Sequence, residues 1–162
     1  MANKKQIDPN ILLIAGGGIV SLILVKQLMV NFGLAAGPGE KKFRNNIQDP
    51  GSPWKPNYFQ TQAATRANCL LINPALADYY ASQIYTAFGV FQDDYNKVLS
   101  VFESLKTKCQ VSFLAYRFQI KYGQSLSSYL IDGGGLLPWD GLSDEHLNEL
   151  ANLVNRLPSY RP

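Results

Sequence analysis

The sequence predicts an all-α protein with three parts: an N-terminal transmembrane helix, a Pro/Gly-rich stalk and a compact domain of about six helices. Three observations carry that expectation. Residues 11–25 form an apolar run without a charge, and residues 37–60 hold four prolines and three glycines. From residue 61 onward, apolar positions recur at helical spacing between residues suited to helix caps. No comparable run alternates with period two, so a sheet is not expected. A length of 162 residues suits one domain plus an appendage. The expected division is 1–36 for the membrane segment, 37–60 for the linker and 61–162 for the helical domain.

The expected span is built from Ile11, Leu12, Leu13, Ile14, Gly16, Gly17, Gly18, Ile19, Val20, Leu22, Ile23, Leu24 and Val25. As a helix the run is only about 22 Å long, against a hydrocarbon core of about 30 Å. The apolar pattern resumes after Lys26 and Gln27 with Leu28, Met29, Val30 and Phe32. A lysine there can bend its amine toward the headgroups while its stem stays in lipid, which makes residues 10–32 long enough to cross. A cleaved signal peptide fits Lys4, Lys5, Ala35 and Ala36, but Lys26, Gln27 and Asn31 stand between the run and that cleavage site. A soluble helix is disfavoured by Gly16, Gly17 and Gly18, each costing about 1 kcal/mol in a helix interior. The spacing Gly17-x-x-x-Ser21 permits close approach of two such helices, so self-association is expected through this segment.

Charge supports the same reading. Hydrophobic residues at 46% and charged residues at 17% exclude a disordered polyelectrolyte, and a net charge of +3 is too small for a nucleic-acid-binding tail, so no nucleic-acid partner is expected. The first 37 residues carry Lys4, Lys5 and Lys26 against Asp8, and residues 38–68 carry Lys41, Lys42, Arg44, Lys55 and Arg66 against Glu40 and Asp49. Positive charge thus flanks the apolar run, as expected where a chain meets anionic headgroups. Bases lie on both flanks, so orientation across the bilayer is not readable.

Residues 37–60 read as extended chain that holds no regular helix, with Trp54 docking on the domain or at the membrane interface. A first helix is expected over residues 62–71. The next starts at Asn73 and Pro74, stops at Gly89, and turns Leu76, Tyr80, Ile84, Ala87 and Phe88 inward. A third carries Tyr95, Val98, Leu99, Phe102 and Leu105, after acids suited to a helix start. A fourth opens on the capping box Thr107 and Gln110 and closes on Gly123, with Val111, Leu114, Ala115, Phe118 and Tyr122 on its face. A short fifth helix over residues 126–131 precedes Gly133, Gly134 and Gly135. The last is capped by Ser143, stops before Pro158, and points Leu147, Leu150, Val154 and Leu157 inward. Cys69 and Cys109 read as buried thiols, with a bridge open only if their Cα atoms lie within about 7 Å.

The stretch from "LADYYASQIYTAFGVFQDDYNKVLSVFESL" through "SYLID", followed by "LSDEHLNELANLVNRLP", resembles an annexin repeat over residues 76–157. It is most similar to the single-copy versions in small proteins of Bacteroidetes bacteria and their phages. Calcium binding in that family uses carbonyls of a glycine-rich loop and an acid about forty residues on. Here Gly89, Asp93 and Asp94 match the loop and Asp132 the distant acid, while Phe91 and Gln92 replace the second glycine and the threonine. Without that glycine the loop is not expected to turn its carbonyls toward one hard cation, and capping by Asp93 or Asp94 is the better reading. "DGGGLLPWDG" is an insertion relative to the family, its Leu136, Leu137 and Trp139 forming an apolar tip or folding onto the core.

No GxSxG, HExxH, P-loop or CxxC motif is present, and the single histidine, His146, suits a solvated first-turn position. The sequence reading is therefore a protein without catalysis, cofactor or metal. It is held in a bilayer and works through other structural proteins, with Lys41, Lys42, Arg44, Trp54, Leu136, Leu137 and Trp139 as interaction residues. The resemblance to phage-borne modules implies a minor virion protein joining an internal membrane to a capsid. Two alternatives are a membrane-anchored lytic enzyme acting on peptidoglycan with Glu103 as acid, and a calcium-dependent lipid-binding module.

Overall fold

A computed structural model describes residues 38–61, 69–88, 94–133 and 141–159. The chain divides into two units, residues 1–37 and 38–162. The expected span therefore lies outside the described residues, as do residues 62–68 of the first expected helix. No helix among the described residues is long and apolar enough to cross a membrane.

The described part of the second unit is all-helical: α1 (Pro38–Gln48), a 3-10 turn (Tyr58–Gln60), α2 (Pro74–Tyr85), α3 (Tyr95–Ser104), α4 (Lys108–Tyr122), α5 (Leu126–Asp132) and α6 (Asp144–Arg156). Helix α4 is central, in contact with α2, the 3-10 turn, α5 and α6, while α1 lies on α6 and α3 on α2 and α6. Four expected caps form, Asn73, Asp94, Thr107 and Ser143, and Ser125 adds a fifth that sequence reasoning had not named. Asn73, Asp94, Thr107, Ser125 and Ser143 each accept a backbone N–H of the first helical turn, and Gly123 and Gly133 close α4 and α5 at φ 73° and 68°. These positions are local in origin, since a side-chain oxygen two or three residues ahead of an orphan N–H needs no tertiary partner. Gln110 completes its box one residue early, accepting from the Lys106 N–H at 2.7 Å rather than from Thr107.

The stalk expectation is overturned. Residues 38–48 form a helix, because Pro38 and Gly39 fall in its first turn, where a missing N–H costs nothing, and Pro50, Pro53, Pro56 and Gly51 all lie past its end. No helix breaker stands between Glu40 and Gln48. Phe43 and Ile47, four residues apart, share the inner face and join the core. The chain then turns at Asp49, whose carboxylate accepts the Gly51 N–H at 2.8 Å, and the buried Ser52 hydroxyl accepts the Trp54 N–H at 3.2 Å. That turn drives Trp54 into the core at 2% exposure, its ring 4.7 Å from Phe43 and 5.2 Å from Phe102. Trp54 is thus a core residue of the domain and not an interaction residue.

Further corrections follow from packing. Cys69 and Cys109 are bridged, with Cα atoms 5.7 Å apart, where buried thiols were the leading expectation. Residues 69–73 are non-helical, so a helix does not extend to residue 71. Helix α2 ends at Tyr85, short of the expected stop at Gly89, and the Thr86 hydroxyl donates back to the Ser82 carbonyl at 2.8 Å. Its inner face is Ala77, Ala81 and Ile84, with Leu76 40% exposed. Two small alanines let α2 approach α4 closely, which rotates Leu76 outward. At Gly141 the chain meets the end of α5 so closely that a Cβ would fall 1.7 Å from the Ile131 carbonyl oxygen, and Leu142 N–H bonds Leu130 O at 2.9 Å.

Two stability outcomes are expected. Trp54→Ala leaves a hole between three helices and costs about 3–5 kcal/mol, read as a shift in the denaturant midpoint by circular dichroism; an unchanged midpoint would show that Trp54 does not fasten α1. Reducing Cys69–Cys109 frees a loop of 40 residues and costs roughly 4 kcal/mol in the same assay, in the chain-entropy picture.

Candidate functional site

Polar side chains on the described surface gather in three places, each built across two or more elements. The first joins α2 to α4. Arg117 Nε donates to Asp78 Oδ1 at 2.8 Å and Nη2 donates to Asp78 Oδ2, a bidentate pair, while Lys121 Nζ reaches the Ser82 hydroxyl at 2.6 Å. The Tyr122 hydroxyl also meets Ser82, at 3.3 Å. Hydrogen bonds from Arg117 hold the Asp78 carboxyl below its ordinary value of 3.8; partial burial opposes this, and the charges of Arg117 and Lys121 add to it.

The second place joins α3 to α6. Tyr95 stacks on His146 with ring centroids 3.6 Å apart, and its hydroxyl donates to Glu149 Oε2 at 2.7 Å. His146 is therefore a packed residue, half-buried against an aromatic ring, rather than a solvated one. Burial first, then the Glu149 hydrogen bond, then the charges of Glu149, Glu103 and Glu145 push the Tyr95 phenol well above its usual range. A phenol so held stays protonated and donates its hydrogen to Glu149. Along the same helix an open groove of about 640 Å³ is lined by Glu145, Asn148, Glu149, Asn152 and Arg156 among others.

The third place is α1. Lys42 Nζ donates to Asn152 Oδ1 of α6 at 3.0 Å, Glu40 N–H to Asp144 Oδ1 at 3.2 Å, and Arg44 pairs with Glu40 at 2.6 Å. Lys41, Lys42 and Arg44 are all exposed, and Lys42 and Arg44 brace α1. Trp54, the fourth member of that expected set, is in the core beneath them. Leu136, Leu137 and Trp139 lie outside the described residues, as do Gly89, Phe91, Gln92 and Asp93 of the annexin-like loop.

Of the carboxylates weighed for chemistry, Glu103 is exposed on α3 and Asp132 is exposed at the end of α5. Asp94 caps α3, accepting the Lys97 N–H at 3.1 Å, as the capping reading expects. No group of three or more His, Cys, Asp or Glu side chains among the described residues is placed to hold a metal ion.

No family model, no curated protein and no solved structure matches this chain. Function is therefore to be read from the arrangement itself. What the arrangement does is join helices: α2 to α4, α3 to α6 and α1 to α6 are each fastened by a charged or phenolic side chain. Sequence reasoning missed Asp78–Arg117 and Tyr95–Glu149 because the partners are 39 and 54 residues apart. The one available signal was that His146 and Glu149, three apart on a helix, share a face.

Asp78 yields a pH prediction. Its folded pKa lies below the unfolded one, so the pair stabilises the fold fully above the unfolded value, and that contribution fades as pH falls below 3.8 toward the folded value. The melting temperature of the wild-type chain should therefore drop more steeply from about pH 4 to pH 2 than that of Asp78→Asn. Parallel acid limbs would exclude the pair as a contributor.

Proposed function

We propose that this protein is a non-catalytic structural protein, held in a bilayer by residues 10–32, whose helical unit binds other structural proteins. The observation that carries the reading is the use made of polar side chains. Every helix start described from α2 onward takes a Ser, Thr, Asn or Asp as its cap, and the strongest polar pairs, Asp78–Arg117 and Tyr95–Glu149, lock neighbouring helices together. Side chains committed in this way hold a shape, which supports a structural reading. The covalent Cys69–Cys109 clasp adds to a domain made to persist.

The more specific setting is a minor virion protein that joins an internal membrane to a capsid, with the helical unit as a single annexin-like repeat. Its support is the quoted likeness of residues 76–157 together with the apolar run. Because residues 38–60 belong to the fold, a free stalk is no part of this proposal, and the docking surface is that of the domain. Among the described residues, Lys41, Lys42 and Arg44 on α1 are the exposed bases nearest in sequence to the apolar run, and anionic headgroups are their proposed partners.

The deciding measurement is extraction. The full chain should stay with lipid through a wash at high pH and high salt that strips peripheral proteins. Release into the supernatant would overturn the bilayer anchor and leave the helical unit to be sought in a soluble assembly.

A further inference from the structure

We infer that residues 38–162 fold in an oxidising compartment, with the chain threaded so that Lys4 and Lys5 stay on the reducing side of the bilayer. The compartment follows from the fold alone; the threading rests on the membrane-held reading above.

The chain has two cysteines and both are in one bridge. Cys109 sits in the first turn of α4 with no exposure, packed beside Tyr58 of the 3-10 turn, while Cys69 lies on the non-helical run that leads to the Asn73 cap. The bridge therefore fastens the start of the central helix to the strap before α2, at the seam between the turn and α4. It is a structural cross-link inside a packed cluster.

Making it converts two thiols into one disulfide. The pair gives up two protons and two electrons by exchange with the disulfide of a donor protein, which leaves as a dithiol. Donors of this class act outside the reducing cytosol, where glutathione and thioredoxin keep thiols free, and there a buried bridge persists. Basic residues do not decide the orientation, because Lys4 and Lys5 on one flank are balanced by Lys41, Lys42 and Arg44 on the other. The bridge decides it: the flank that carries both cysteines is the translocated one.

The test uses the full chain in a bacterium. Cells are quenched in acid so that no thiol reacts after harvest, and the protein is tagged with maleimide-polyethylene glycol before or after reduction. A second sample carries alkaline phosphatase after Pro162, an enzyme active only where its own disulfides form. A third is washed with alkaline carbonate. The expected result is no tag without reductant, two tags after it, an active phosphatase fusion and retention in the pellet. Two tags without reductant, or an inactive fusion on a chain that stays in the pellet, would overturn this inference and leave the membrane reading standing. An untagged chain that leaves with the carbonate wash would uphold the oxidising compartment while overturning the threading and the membrane reading together. A Cys69→Ser, Cys109→Ser chain, which takes no tag in any condition, fixes the baseline.

Discussion

Burial of helix α4 is the constraint on which the other elements depend. Cys109, Val111, Leu114, Ala115 and Phe118 are all at or below 2% exposure, and Gln110, Ser112 and Phe113 are buried as well, so apolar and polar positions alike are covered nearly all round the helix. A helix with that profile has no solvent face over residues 109–115 and has to be surrounded. Helix α2 covers one side through Ala77, Ala81 and Ile84. The 3-10 turn covers another, with Phe59 set edge-on to Phe113 at 5.4 Å and Tyr116 at 5.5 Å, and α5 and α6 close the rest. The buried Ser112 hydroxyl is satisfied from the covering chain, donating to Lys55 O at 2.6 Å and accepting the Phe59 N–H at 3.1 Å. Those bonds tie the turn to α4 at a fixed height.

The same need explains why residues 38–60 are folded. Phe102 on α3 and the inner face of α6 leave an apolar opening that Trp54 and Phe43 fill together. A tryptophan brings a larger apolar area than any other side chain, and here it gains an edge-to-face contact with Phe43 and a tilted one with Phe102 that a loop in water would forgo. The Asp49 and Ser52 bonds that bend the chain into the core are short-range and polar, and they act on a segment whose prolines already restrict it. Together they make a proline-rich run rigid without making it regular.

For function, the consequence is a unit whose helices are cross-braced on the outside and bridged at the seam by Cys69–Cys109. Bidentate Asp78–Arg117 and the Tyr95–Glu149 bond resist sliding of one helix past another. Both pairs join residues far apart in the chain, so the bracing is tertiary and not local to one helix.

The sequence by itself determined the helical character of the domain, the caps at Asn73, Asp94, Thr107 and Ser143 and the two left-handed glycine stops at Gly123 and Gly133, because each depends on residues within one turn of each other. It also determined most of the inner face of α4 and α6, where Val111, Leu114, Phe118, Leu147, Leu150 and Val154 follow helical spacing. Tertiary structure alone decided the rest. Whether Trp54 docks or dangles, whether Leu76 or Ala77 faces inward, whether His146 is wet or stacked, and whether two cysteines 40 residues apart meet are all questions about partners distant in the chain. Periodicity reports which side of a helix is apolar but not which neighbour covers it, and here that is decided where Ala77, Ala81 and Trp54 are buried.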